Sequence, residues 1–188
     1  MTPFLGLIIV VALILVWAVM SYNRFVTLRN QVTNGWKQID DQLKRRHDLI
    51  PNLVNTVKGY MEFEQDTLLK VISARNAAAS AKTVGEAAEK ESLLTSALGK
   101  FFALAENYPT LKANENVRQL QEELASTENK IGFARQFYND IATKFNIALQ
   151  VFPGNILAGV FGFRPAELFE IQDAGERQVP SVDLSLKK

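Results

Sequence analysis

The residues best suited to acid–base or metal chemistry in this chain are few and scattered. The sequence has a single histidine, His47, and no cysteine. A zinc site needs several histidine, cysteine or carboxylate ligands around one ion, so this composition argues against one. His47 follows Arg45 and Arg46 and precedes Asp48, surroundings typical of a solvated helix surface. We therefore expect His47 to lie on the surface of a helix rather than in a catalytic site.

Two groups of acidic residues are the remaining candidates for a metal site. They are Glu62, Glu64 and Asp66, and Glu115, Glu122 and Glu123. Carboxylate-bridged metal centres in helical bundles also use Glu-x-x-His pairs, and the sequence has none. The GxSxG, Walker A and GxGxxG patterns are missing too. We expect both groups to be solvated faces of helices. We predict no catalytic residue, metal, cofactor or small-molecule substrate.

Several polar side chains lie on or near apolar stripes, where burial would require partners. The arginines are Arg29, Arg46 and Arg135, and the carboxylates able to pair with them are Glu106, Glu128 and Asp140. Salt bridges within a bundle, or aliphatic stems with solvated heads, are the interpretation we favour. Contact with another subunit is the alternative. Asn139 and Asn146 lie near the last stripe and are suited to fixing bundle register.

The N-terminal segment decides where these residues work. Residues 1–23 carry no charged side chain, and residues 3–20 form one apolar run apart from Pro3 and Gly6. As a helix, residues 2–22 are roughly 30 Å long, the thickness of a bilayer's hydrocarbon core. A cleaved signal peptide is the alternative, but no basic residue precedes the run and no good small-x-small site follows it. We predict an uncleaved anchor at residues 1–23, with Trp17 and Tyr22 in the headgroup layer.

The charges that flank the span predict its orientation. The cations that follow it are Arg24, Arg29, Lys37, Lys44, Arg45 and Arg46, whereas only the terminal amine precedes it. The positive-inside rule therefore places the N-terminus outside and the body in the cytoplasm, with a periplasmic body as the alternative. The formal net charge of +1 is too balanced for a general nucleic-acid binder.

Heptad spacing predicts long helices in the body. From Phe25 to about Ala81, apolar residues recur at alternating intervals of four and three. Pro51 interrupts this stripe. Because the apolar phase continues beyond it, we expect one long kinked helix rather than two helices broken at Pro51. Further helices are predicted at residues 86–107 and from about residue 113 to residue 150.

These patterns predict an all-α fold: a single N-terminal transmembrane helix followed by an antiparallel helical bundle of the four-helix type with long helices. The bundle covers residues 24–171, and residues 172–188 form a polar, extended tail. A long coiled-coil stalk with the other helices folded back is the alternative. A first helix reaching residue 81 would outreach its neighbour. In that case Trp36, Ile39 and Leu43 would pack against another copy of the chain.

The segment 152–171 carries more apolar residues than a short helix can hide on itself. They are Phe152, Ile156, Leu157, Val160, Phe161, Phe163, Leu168 and Phe169. We expect this segment, with a short helix starting at Pro165, to dock on the bundle as its closing helix. Contact with lipid or with a second chain stays open as the alternative.

Several motifs resemble the LemA family. In chain order they are Tyr22-Asn23-Arg24 after the span, Leu43-Lys44-Arg45-Arg46-x-Asp48-Leu49-Ile50-Pro51-Asn52-Leu53-Val54, Val57-Lys58-Gly59-Tyr60, Ala105-Glu106-x-Tyr108-Pro109-x-Leu111-Lys112-Ala113-Asn114, Leu120-Gln121-x-x-Leu124-x-x-Thr127-Glu128-Asn129-x-Ile131, and Ala134-Arg135-Gln136-x-Tyr138-Asn139. The resemblance implies a bacterial protein with one N-terminal transmembrane helix, an extracytoplasmic N-terminus and a cytoplasmic four-helix body. It implies no established catalytic activity. Relatives in this family include a protein needed to form magnetosome membranes, and family genes often neighbour a membrane metalloprotease.

Together, residues and resemblance predict a membrane-anchored, non-enzymatic scaffold or interaction protein of the bacterial inner membrane. Its expected partners are membrane lipid, further copies of itself as a homo-oligomer, and another membrane protein. The alternative is an accessory subunit that modulates a neighbouring membrane protein such as a protease. An enzyme with an unrecognised site in the bundle core is a third interpretation.

Overall fold

The computed structural model describes residues 2–60 and 65–170, with side-chain surroundings from residue 4 onward. Within these ranges the chain is helical and contains no strand, so the predicted all-α fold is confirmed. The helices are α1 (Thr2–Val57), α2 (Gln65–Ala79), α3 (Val84–Ala105), α4 (Pro109–Lys112), α5 (Glu115–Gln150) and α6 (Gly154–Val160). Glu62, Glu64 and the predicted tail at 172–188 lie outside the described residues.

Helix α1 joins the apolar N-terminal stretch to the bundle without interruption. Its 56 residues make it about 84 Å long at 1.5 Å per residue. The N-terminal stretch is long and apolar enough to cross a membrane, and its side chains are exposed rather than covered by the rest of the chain. Trp17 and Tyr22, near its end, are both partly exposed.

Pro51 lies inside α1 without ending it. Proline has no N–H, so the carbonyl of His47, four residues earlier, loses its usual donor in the helix. Arg75 of α2 fills this gap, because its Nε donates to the His47 carbonyl oxygen at 3.1 Å. Helix α1 continues to Val57 and ends in a turn at residues 58–60. The expectation that the helix continues through Pro51 is therefore confirmed. Its expected extension to residue 81 is wrong, and so is the alternative of a break at Pro51.

The helices run antiparallel, as predicted. Helix α2 returns along the end of α1, α3 reverses again, and α5 descends beside the whole bundle part of α1. Caps mark two of these reversals. The Thr83 hydroxyl accepts from the Glu86 N–H at 3.2 Å where α3 begins. At the start of α5, the Asn114 side-chain oxygen accepts from the N–H groups of Asn116 and Val117.

Two hydrophobic clusters share this bundle. The distal cluster, far from the apolar N-terminus, is built by α1, α2, α3 and α5 around Ile50, Leu53, Val71, Leu94, Phe101 and Leu124. The proximal cluster is built mainly by α1 and α5 around Phe25, Ile39, Leu43, Tyr138, Phe145 and Phe169. Helices α1, α2, α3 and α5 close the distal core together with Leu111 of α4. The proximal core is closed by α1 and α5 with the start of α3, helix α6 and the residues that follow it.

Residues 163–170, here called the strap, cover the proximal cluster in an extended conformation. The short helix predicted to begin at Pro165 does not form. The backbone N–H groups of Ala166 and Phe169 donate instead to the side chains of Asn146 and Asn139, both at 2.8 Å. Helix α6 precedes the strap and approaches α1 closely. A Cβ on Gly154 would lie 3.2 Å from the Phe25 ring and 3.0 Å from the Ala148 carbonyl oxygen.

Candidate functional site

A buried group of charged side chains lies at the centre of the bundle. Glu91 of α3 joins both partners on α1: its Oε1 lies 2.6 Å from Nε2 of His47, and its Oε2 lies 3.3 Å from Nη1 of Arg46. Arg46 also contacts Glu128 of α5 at 2.8 Å and donates to the Thr95 hydroxyl at 2.8 Å. Each charge therefore has a partner, as burial requires.

The expectation that His47 is a solvated surface residue is wrong, since only 7 % of it is exposed. Its position shows why: His47 is four residues after Leu43 and three before Ile50, on the wider edge of the apolar stripe. This spacing indicates that His47 is buried, whereas the charged residues beside it in the sequence favour the surface position that we predicted. A histidine on a carboxylate can act as a base. Here Glu91 is only 4 % exposed and bonded to Arg46 as well, an arrangement that holds three helices together.

The described parts of the chain, residues 2–60 and 65–170, contain no group of three or more His, Asp or Glu side chains placed to hold a metal ion. Asp66, Glu115 and Glu122 lie on the surface, as expected, and pair with cations of their own helices. The Arg118 side chain donates to Glu115 and lowers the pKa of that carboxyl. A backbone N–H bond from Lys82 similarly lowers the pKa of Glu86.

Arg46 has the predicted bundle salt bridge, with Glu128 as one of the expected partners. Arg29 differs: it is exposed, and its guanidinium lies 5.3 Å from the centre of the Phe163 ring. Arg135 is half-buried. Glu106 pairs instead with Lys112. Asp140 is exposed.

Asn139 and Asn146 hold the strap rather than a neighbouring helix. The Asn139 amide donates to the Phe169 carbonyl at 3.0 Å, and the Asn146 amide donates to the Ala166 carbonyl at 2.9 Å. With the two N–H bonds described above, each asparagine pairs both backbone groups of one strap residue. Tyr138 adds a third link, because its hydroxyl donates to the Glu167 carbonyl at 2.7 Å. Burial, and then the negative charge of Glu167, raise the pKa of Tyr138.

The residues expected to need a second copy are packed within the chain. Ile39 is 0 % exposed and Leu43 is 5 % exposed, both inside the proximal cluster. The Trp36 ring contacts the rings of Tyr138 and Phe169. That expectation depends on a first helix that reaches residue 81. Because α1 ends at Val57, α3, α5 and the strap supply the partner surface, and this part of the prediction is corrected.

The apolar segment 152–169 divides into two parts. Leu157, Phe163, Leu168 and Phe169 pack on the proximal cluster, so the expected docking on the bundle holds for them, though not as a closing helix. Four others remain exposed: Phe152, Ile156, Val160 and Phe161. Tyr22 contacts Phe161 with ring centres 4.8 Å apart and Phe163 at 5.8 Å. The exposed part therefore lies beside the end of the N-terminal apolar stretch.

A second exposed surface lies on the side of the bundle. Phe133 and Phe137, one turn apart on α5, are 74 % and 47 % exposed. They flank a groove of about 430 Å³ between α1 and α5, here called the lateral groove, whose other lining residues are Gln38, Asp41, Gln42, Lys130 and Ala134. Among the residues that the structure describes, Gln42 has a buried side-chain oxygen with no hydrogen-bond partner. The apolar spacing along α5 does not reveal this surface, because Phe133 and Phe137 lie outside the apolar stripe of that helix.

Comparison with known proteins identifies relatives of this chain. The family model described as "LemA family" matches residues 35–184. "Magnetosome protein MamQ 2" of Paramagnetospirillum magneticum is 25 % identical over 186 residues, covering 85 % of this chain and 68 % of that protein. "Protein LemA" of Metamycoplasma hominis is 26 % identical over 163 residues, covering 86 % of this chain and 74 % of that protein. "Magnetosome protein MamQ" of Magnetospirillum gryphiswaldense is 24 % identical, covering 85 % of this chain and 68 % of that protein.

The family match and the long apolar helix indicate a membrane-associated protein. The matched region begins at Gly35 and so contains the buried charged group, the lateral groove and the strap. With this match extending over most of its length, the chain belongs to the LemA family.

Proposed function

We propose that this protein is a membrane-anchored, non-enzymatic interaction protein that self-associates in the bacterial inner membrane. In this proposal α1 crosses the bilayer at residues 1–23, the N-terminus lies outside, and the bundle stands in the cytoplasm. The observation that carries it is the lateral groove, where two large aromatic side chains are exposed beside a buried, unpaired amide oxygen. Exposed aromatic patches of this kind are typical of protein interfaces.

The partner that best fits the lateral groove is a second copy of the chain. Because α1 is one continuous helix, the bundle stands along the axis of the span, and α5 runs antiparallel beside it. Two copies in one membrane can be related by a two-fold axis along the membrane normal. This rotation leaves every residue at the same distance from the membrane plane. It places α5 of each copy opposite α1 of the other.

Charge and shape both suit this pairing. Asp41 on α1 and Lys130 on α5 line opposite walls of the lateral groove at similar heights. Across the two-fold axis, Lys130 of one copy faces Asp41 of the other, so the pair occurs twice. Phe133 and Phe137 of each copy would cover the partner's groove and remove their rings from water.

The test is the mass of the full-length protein in mild detergent and in lipid nanodiscs. We expect a dimer for the wild type and a monomer for Phe133→Asp, because a carboxylate would have to be buried at the interface. Leu93→Asp is the matched control, since Leu93 is 60 % exposed on α3, away from the groove. It should remain a dimer. A wild-type monomer over a wide concentration range would overturn self-association. If the Phe133→Asp variant remains a dimer, the dimer interface lies elsewhere on the protein.

A further inference from the structure

The exposed apolar residues around α6 belong to a longer uncharged stretch. Residues 145–163 carry no charged side chain, and cations lie at both of its ends, Lys144 and Arg164. Within it six apolar side chains are more than half exposed: Ile147, Val151, Phe152, Ile156, Val160 and Phe161. The end of α5, helix α6 and the start of the strap therefore form an apolar hairpin with cations at its base. It is called the α6 hairpin below.

The α6 hairpin lies beside the membrane-spanning part of α1, not beside the bundle alone. A groove of about 590 Å³ separates the two, and it is lined by Leu13, Ile14, Trp17, Ala18, Pro153, Ile156 and Leu157. Measured along α1 at 1.5 Å per residue, Ala18 and Leu13 lie about 9 and 16 Å before Arg24. Half of a bilayer's hydrocarbon core is about 15 Å thick. Helix α6 is thus at the depth of one leaflet.

Several backbone N–H groups at the turns of the hairpin have partners within the protein. A backbone polar group in hydrocarbon must find its partner within the protein. The N–H groups of Val151, Asn155 and Phe161 donate to the backbone carbonyl oxygens of Ile147, Val151 and Leu157, respectively, all at 3.0 Å. The N–H of Phe163 donates to Ala158 at 3.0 Å and closes the end of α6.

From these observations we infer that the α6 hairpin is a second membrane element, inserted into the leaflet from which the bundle emerges. Lipid hydrocarbon covers Phe152, Ile156 and Val160 and fills the groove beside α1. The cations at the base, Lys144 and Arg164 together with Arg24, lie at the level of the lipid phosphates, where they attract anionic headgroups. The protein is then held by α1 and by a wedge in one leaflet, which restricts the tilt of the bundle relative to the bilayer.

The experiment uses the absence of cysteine from the sequence. Single cysteines are introduced into the full-length protein at Ile156, Val160, Val11 and Ser96, all exposed positions where a small side chain disturbs no packing. Each variant is reconstituted in lipid nanodiscs, and its reaction rate with a charged, water-soluble maleimide is measured. Val11→Cys is the reference for a position inside the bilayer, and Ser96→Cys on α3 is the reference for a position in water.

We expect Ile156→Cys and Val160→Cys to react about tenfold or more slowly than Ser96→Cys, as Val11→Cys does, because hydrocarbon excludes the charged reagent. In denaturant without lipid, all four should react at similar rates. The inference rests on the membrane span of the proposed function, and the four rates separate the two. Protection at Val11 alone would overturn insertion of the hairpin and leave the span intact. No protection even at Val11 would overturn both. The dimer measurement is independent of either result.

Discussion

The distal and proximal clusters close their cores by different means. Around the distal cluster four helices each contribute an apolar face, and regular helix packing leaves few backbone groups to satisfy. Around the proximal cluster α1 and α5 are the two long helices, and the remaining surface is covered by the start of α3, by α6 and by the strap. An extended segment has no internal hydrogen bonds, so its buried backbone groups need side-chain partners. Asn139, Asn146 and Tyr138 provide them.

The two ends of the bundle are linked by charge and by the strap. The buried group of Glu91, Arg46 and His47 lies between the two clusters and ties α1, α3 and α5 together. The strap follows α6 and runs back along α5, held first by Asn146 at Ala166 and then by Asn139 at Phe169. The proximal core is therefore closed by a segment that specific side-chain hydrogen bonds hold in place, and not by a further helix.

The largest effect should follow from removing the charged link between the helices. In Glu91→Ala, His47 loses its carboxylate and Arg46 keeps only Glu128 and the Thr95 hydroxyl, so a buried charge is left partly unpaired. We expect the free energy of unfolding to fall by about 3 kcal/mol, at the low end for a broken buried ion pair. Chemical unfolding of the full-length protein in micelles, followed by far-ultraviolet circular dichroism, measures this.

Glu89→Ala is the matched control for that variant. Glu89 lies on the same helix and is exposed, so its loss should change the free energy of unfolding by less than about 0.5 kcal/mol. Glu91→Gln keeps a hydrogen-bonding side chain without the charge and should fall between the two. Equal stability of Glu91→Ala and Glu89→Ala would mean that the buried group does not hold the helices together.

A smaller and more local effect should follow from loosening the strap. Asn139→Ala leaves the N–H and the carbonyl of Phe169 without partners, although Phe169 is only 2 % exposed. Two such bonds contribute roughly 1–3 kcal/mol. We expect faster amide hydrogen exchange in residues 163–170 and unchanged exchange in α2 and α3. Gln136→Ala, an exposed change on the same helix, should leave both regions unchanged. Equal acceleration in both regions would show that the clusters unfold as one unit.

The periodicity of apolar residues along the sequence predicts those parts of both clusters that are regular helices. Helix α3 was predicted at residues 86–107 and extends over Val84–Ala105, and α5 begins within two residues of its expected start. The strap was missed because its stability depends on asparagines 20 to 30 residues away, and spacing along the chain cannot show such contacts. The reversal after Val57 was missed for a related reason. The heptad phase of α2 happens to continue that of α1, so the stripe gives no sign that the chain turns back.

The smallest expected effects are changes in stability with pH. High pH should destabilise the proximal end, whereas low pH should destabilise the distal end. The pKa of Tyr138, in the proximal cluster, is raised by burial and by the charge of Glu167. Its neutral form is therefore favoured by folding. This contribution is complete below the unfolded pKa of about 10 and is lost as the pH rises through the folded value. The pKa of Glu115, at the distal end, is lowered by Arg118, so its contribution is present above the unfolded pKa and is lost as the pH falls through the folded value.

Trp36 offers a reporter for the alkaline half of this prediction, since its ring lies 6.0 Å from that of Tyr138. In a Trp17→Phe background it is the sole tryptophan. Its emission should shift to longer wavelength above about pH 10 as the ionised tyrosine leaves the strap. Tyr138→Phe should be less stable at neutral pH by about 0.5–1.5 kcal/mol, for the lost bond to Glu167. It should lack the tyrosine-dependent part of the alkaline shift, whereas Glu115→Gln should keep that shift and lose only part of the acid transition. If Tyr138→Phe responds to alkali as its parent does, lysine titration rather than the strap governs the proximal end, because every lysine is present in both proteins.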